Sequence, residues 1–172
     1  MKDDIEKLAD YLQTTMVAEI EADTFGGVMV VMLHDDGSIK RLPMPHDVGR
    51  MLQSGQGKDA LFTVVRAFVK LMEAKGVAIG TDAWMGLPTE KALAMDKKEY
   101  DRIMEQNIGV PELERRGLAV KVEGLMCNVQ TATEFLMRVV PYERTKHGTV
   151  WKPAQDQRGP TENFSGRMMM FN

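Results

Sequence analysis

The stretch Phe25-Gly26-Gly27-Val28-Met29-Val30-Val31-Met32-Leu33-His34-Asp35-Asp36-Gly37-Ser38 decides the fold. Its two glycines break the pattern upstream. Six apolar residues follow without interruption, a run too short for a helix of its own and rich in Val, so it reads as a strand. Asp36-Gly37 is a hairpin signal, because both central residues of a type I′ turn need positive φ and these two tolerate it. The return strand is expected over residues 38–44, closed by Pro43 and Pro45. The first strand of this hairpin is the more buried one.

Upstream, Ile5, Leu8, Leu12, Met16 and Ile20 recur at three- and four-residue steps, which places them on one face of a helix. Asp3, Asp4 and Glu6 crowd its start, where the helix dipole favours negative charge. Downstream, Leu61, Val64, Val65, Phe68, Leu71 and Met72 predict a second helix with one apolar stripe. Asp59 lies at its start and Gly76 is expected to stop it in a left-handed conformation. Residues 77–85 read as a strand, and residues 89–116 return to the helical period. There Asp96 and Glu99 form a capping-box pair, Pro111 suits a first turn and Gly117 a stop. Strands follow at 118–127 and 133–140, with Pro141 expected to end or bend the latter, and a short one at 149–151. The expected class is α+β: a mixed, mostly antiparallel sheet of about five strands with helices packed on one face.

With 172 residues, 44% hydrophobic and 27% charged, the chain fits one globular domain. That domain is expected over residues 1–151, followed by an extended arm over 152–172 rich in Pro, Gly, Gln and Asn. A net charge of -3 argues against nucleic acid as a partner. One Cys excludes an internal disulfide and a Cys-based zinc site, and fits a reducing compartment. No apolar run approaches a membrane span, and the polar, acidic start is unlike a signal peptide, so a cytoplasmic location and no membrane partner are expected. The chain is methionine-rich, with 15 Met against 6 Phe, 3 Tyr and 2 Trp. Most of these fall on helix stripes and strands, where Met fills core. Met168, Met169, Met170 and Phe171 fit no element and end a polar arm. With Phe164, they are the expected interface. Residues 138–172 carry six basic and three acidic residues, so a mildly positive arm follows an acidic body.

Three polar groups invite chemical readings. His34, Asp35, Asp36 and His46 offer imidazole and carboxylate, the ligand types of a hydrolytic metal site, if a hairpin brings them together. The plainer reading has Asp36-Gly37 making the turn and His34 and Asp35 flanking it in solvent. Ser54, Gly55, Gly57 and Lys58 lead into the second helix and offer backbone amides and a cation to an anion or nucleotide. Leu52 and Asp59 stand where a P-loop needs Gly and Ser or Thr, so a loop ending in a capped helix competes with that reading. Tyr142, Arg144, Lys146 and Trp151 mix cations and aromatics as single-strand binders do, against an edge strand protected by charge. Cys127 and His147 form no convincing nucleophile pair without a lowered thiol pKa. None of these motifs calls for a cofactor.

Val77-Ala78-Ile79-Gly80-Thr81-Asp82-Ala83-Trp84-Met85, followed by two strands, Pro141-Tyr142-Glu143-Arg144 and Trp151, resembles a group of uncharacterised small proteins common in phages and prophages. In that group an apolar strand ends in Glu-Ala-Trp and later strands end near Tyr-x-Arg; here Asp82 replaces the Glu. The resemblance spans residues 60–151 and implies no activity. The expected function is a non-enzymatic protein-interaction or assembly module, homo-oligomeric through the C-terminal arm and open to a protein partner. The alternatives are a metal-dependent hydrolase at the His34 region and an anion binder at Ser54–Lys58.

Overall fold

All six residues of β1 (Val28–Leu33) are buried, so both faces of this strand must be covered. Met29, Val31 and Leu33 enter one apolar cluster, and Val28, Val30 and Met32 enter another. The first cluster is closed by α1 (Asp4–Glu21), through Ile5, Leu8, Leu12, Met16 and Ile20. The second is closed by α3 (Gly55–Leu71), through Leu61, Phe62, Val65 and Val69. The helices therefore occupy two faces rather than one. This computed structural model describes residues 3–106, 108–163 and 170–171.

The described residues form a seven-stranded sheet in which every ladder is antiparallel. Beside β1 lie β2 (Ile39–Leu42) on one edge and β3 (Gly76–Pro88) on the other, then β4 (Ala119–Thr131) and β5 (Glu134–Thr145). β6 (Gly148–Trp151) and β7 (Gln155–Pro160) share the far edge of β5. Their registers differ by one residue, so the two act as one edge strand carrying a bulge at residues 152–154. β5 runs straight through Pro141, whose carbonyl accepts from Lys152 N–H at 2.9 Å. Its missing N–H faces the bulge, where no ladder bond is lost. Residues 155–160, expected in the arm, thus form a strand of the same sheet.

β3 and β4 pair over 13 residues each, from Gly76 against Thr131 to Pro88 against Ala119. The ribbon outruns α1 and carries at its tip α4 (Glu90–Leu93), α5 (Lys97–Glu105) and α6 (Val110–Arg115). Gly76 does not end α3. That helix stops at Leu71, and Glu73 takes the left-handed position at φ 48°. Gly76 lies in β3, where a Cβ would come within 2.7 Å of Leu8 Cδ1, so close approach to α1 is its reason. The hairpin turn also differs from type I′. Only Gly37 has positive φ, at 81°, while Asp36 accepts from Ser38 N–H at 2.8 Å. The Asp side chain stabilises the turn, so its backbone need not be left-handed.

Charges tie α1 down along its length. Arg158 of β7 meets Asp3 at 2.6 Å and Glu6 at 3.7 Å. Arg138 of β5 donates to Asp10 at 2.7 Å and grips Asp156 through two bonds of 2.8 Å. Trp151 Nε1–H donates to Glu21 at 2.9 Å. Basic residues of the C-terminal segment 138–172 thus meet acidic residues of the body within one chain. Among the described residues, no helix is long and apolar enough to cross a membrane.

Candidate functional site

The apolar residues of α3 form two stripes where the sequence shows one. Leu61, Phe62, Val65 and Val69 are buried against the sheet, whereas Val64, Phe68, Leu71 and Met72 are exposed by 51, 38, 76 and 42%. Positions 64, 68, 71 and 72 follow one another at three- and four-residue steps and therefore share a ridge. A groove runs along one flank of this ridge, about 270 Å³ in volume and walled by Leu42, Pro43, Met44, Pro45 and Met51. A second groove, of about 440 Å³, lies at the end of α3 and is lined by Val69, Lys70, Glu73, Ala74, Met170 and Phe171. A contiguous apolar ridge on the order of a few hundred Å² marks an interaction surface better than scattered apolar residues do.

The C-terminal residues expected at an interface divide. Phe164, Met168 and Met169 lie outside the described residues. Met170 is fully buried in the chain's own α3-side core, and Phe171 packs partly buried beside it. Met170 N–H donates to Gln130 Oε1 at 2.9 Å, and Gln130 Nε2–H donates to Asn128 Oδ1 at 2.8 Å. These two buried amides on β4 provide the polar seat for the end of the arm. The one sequence sign of that seat is two polar residues, Asn128 and Gln130, in the mostly apolar second half of β4.

The motif residues Asp82, Tyr142 and Arg144 do converge. Tyr142 O–H donates to Asp82 at 2.7 Å, and Arg144 Nη2–H donates to the Tyr142 oxygen at 3.2 Å. Arg144 also lies 3.7 Å from Asp82 and 3.5 Å from Glu123. Burial first, and the bond to Asp82 second, push the Tyr142 phenol up to about 12, so it stays protonated. Trp151 packs on Tyr142 with ring centroids 4.8 Å apart. The cluster pins the root of the β3–β4 ribbon to β5. Its two aromatic rings pack on each other rather than lie open to nucleic-acid bases.

The metal reading is not assembled. Among the described residues no group of three His, Cys, Asp or Glu is placed to hold a metal. His34 and His46 sit at opposite ends of the β1–β2 hairpin, and Asp36 Oδ1 is taken by the Ser38 N–H and hydroxyl. Among the described residues the buried His34 Nε2 has no hydrogen-bond partner. Cys127 is buried in the sheet and desolvation pushes its thiol up to about 12, the opposite of an activated nucleophile; His147 lies on the surface.

The Ser54–Lys58 loop keeps part of its reading. Ser54 is the N-cap of α3: its Oγ accepts from Gly57 N–H at 2.9 Å and its carbonyl from Lys58 N–H at 3.0 Å. Two amides an anion would need are therefore spent on the cap. A Cβ at Gly57 would overlap the Met51 carbonyl, so this glycine lets α2 (Val48–Met51) lie against α3. The Lys58 ammonium has no hydrogen-bond or ion-pair partner among the described residues. No protein-family model, curated protein or solved structure matches the chain.

Proposed function

We propose that the protein is a non-enzymatic assembly module, of the phage-like kind its sequence resembles, that pairs with a second copy of itself through the exposed ridge of α3 and the C-terminal residues beside it. The observation that carries this reading is Leu71, the most exposed large apolar residue among those described, at 76%, in line with Val64, Phe68 and Met72. An apolar ridge beside a groove suits its own copy, because a two-fold axis can lay each ridge against the other's groove.

The area limits the strength. A standard interface takes about 800 Å² from each partner. The four ridge residues supply less, so the pair is weak and concentration-dependent. Leu71→Cys tests the arrangement directly, since Cys127 is buried and does not compete. Oxidation of the concentrated protein is expected to yield a disulfide-linked dimer. A chain that stays monomeric under oxidation, or that couples no faster than a Cys placed on exposed Lys40, contradicts the reading.

A further inference from the structure

On the sheet face covered by α3, beside that helix's first turn, lies a cavity of about 340 Å³. The volume falls in the range of small-molecule sites, which begins at roughly 300 Å³. Its walls are mostly apolar: Phe62 of α3, Leu52 after α2, Ala83 of β3 and Met126 of β4. Met126 adds a flexible thioether that adapts to the shape of a guest. The polar wall residues are Thr81, Asp82 and Lys58. The Asp82 carboxylate is held by Tyr142 O–H at 2.7 Å. Lys58, half-buried, is the wall residue whose charge has no counter-ion among the described residues.

We propose that this cavity binds a small amphipathic carboxylate, its aliphatic or aromatic body between Phe62, Leu52 and Met126 and its head on Lys58. An apolar chamber rewards burial of hydrocarbon, and one unpaired ammonium at a helix N-terminus rewards a single negative charge. A phosphate dianion fits less well. It needs several donors, and the Gly57 and Lys58 amides already bind Ser54. The site depends on residues separate from the exposed ridge of α3, so it stands or falls apart from the dimer.

Calorimetric titration of the full chain with octanoate, octanol and acetate tests the site. Octanoate is expected to bind, octanol at least tenfold more weakly, and acetate not at all. Lys58→Met should bring octanoate down to the level of octanol while leaving the ligand-free melting temperature unchanged. Ala83→Leu, which fills the chamber, should abolish both. Equal binding of octanoate by wild type and Lys58→Met overturns the proposal, as does retention of binding in Ala83→Leu. Absence of octanoate binding at millimolar concentration overturns it as well, leaving Lys58 a side chain that covers apolar wall with its charge in water.

Discussion

Removing residues 170–172 tests where the end of the arm is seated. Met170 is 1% exposed in the core between α3 and the sheet, and its N–H is bonded to the fully buried Gln130. Emptying a Met-sized site costs about 2–5 kcal/mol, and the low end applies where a chain terminus can give way. The hydrogen bond adds about 1 kcal/mol. A loss of about 3 kcal/mol lowers the melting temperature of a chain this long by about 6–12 °C. Met170→Ala keeps the backbone bond and should lose about 2 kcal/mol. Urea and thermal melts by circular dichroism measure both. Because segment and seat belong to one chain, the gap between full-length and truncated protein should persist through roughly hundredfold dilution. A truncated chain that melts within about 2 °C of the full-length one refutes the seat. A gap that shrinks on dilution means that the arm docks on another copy.

Other perturbations probe separate parts of the structure. A Cβ at Gly80 would run into Met16 Sδ and lie 3.2 Å from Leu12 Cδ1, so Gly80→Ala should lose about 1–3 kcal/mol by overpacking α1. Combined with Met16→Ala it should lose at least about 1 kcal/mol less than the sum of the two; strict additivity in urea melts would separate α1 from β3. Asp3 is held below the ordinary 3.8 by Glu6 N–H and then Arg158, and Asp4 chiefly by Lys75. Their contribution is present above 3.8 and is lost as pH falls through the lowered native values. Asp3→Asn/Asp4→Asn should therefore melt lower than wild type near neutral pH, with the gap narrowing as pH falls below 3.8; a gap that does not narrow in acid contradicts this. The Cys127 thiol and Tyr142 phenol, ordinarily 9.0 and 10.0, are both raised to about 12. Their stabilisation is full below the ordinary values and is lost as pH rises through about 12. Stability should accordingly fall between those limits, and a thiol reagent should label Cys127 only after unfolding; rapid labelling of the native chain would show the thiol accessible.

Much of this fold is written in local patterns. The apolar steps of residues 5–20 formed α1 on those residues, and the uninterrupted run 28–33 became a wholly buried strand. What the run also implied, cover on both faces, was not legible from the hairpin alone, because it depends on where a distant helix packs. The stripe of α3 shows the same limit. Leu61 and Val65 are buried while Val64 and Phe68 face outward, yet all four share one helical pattern. Hydrophobic period gives the helix and not which side meets the sheet. β7 is not legible in the sequence because Gln155-Asp156-Gln157-Arg158-Gly159-Pro160 has no apolar alternation; its place is fixed by pairing with β5 and by the ion pairs of Arg138 and Arg158. The Asp82–Tyr142 contact joins residues 60 apart, a separation at which only the folded sheet supplies the neighbour. At Ser54–Lys58 the loop and its capped helix are legible, but the chamber beside Lys58 follows from packing against β3 and β4.

Self-association through α3 is tested most directly by sedimentation of wild type and Leu71→Glu over a dilution series. Leu71 is mostly in solvent, so the substitution should leave the stability of the dilute protein within about 0.5 kcal/mol of wild type. The account predicts that the wild-type sedimentation coefficient rises with concentration toward that of a dimer while Leu71→Glu remains a monomer throughout. A wild-type chain that is monomeric at every concentration, or a Leu71→Glu chain that dimerises equally well, contradicts it.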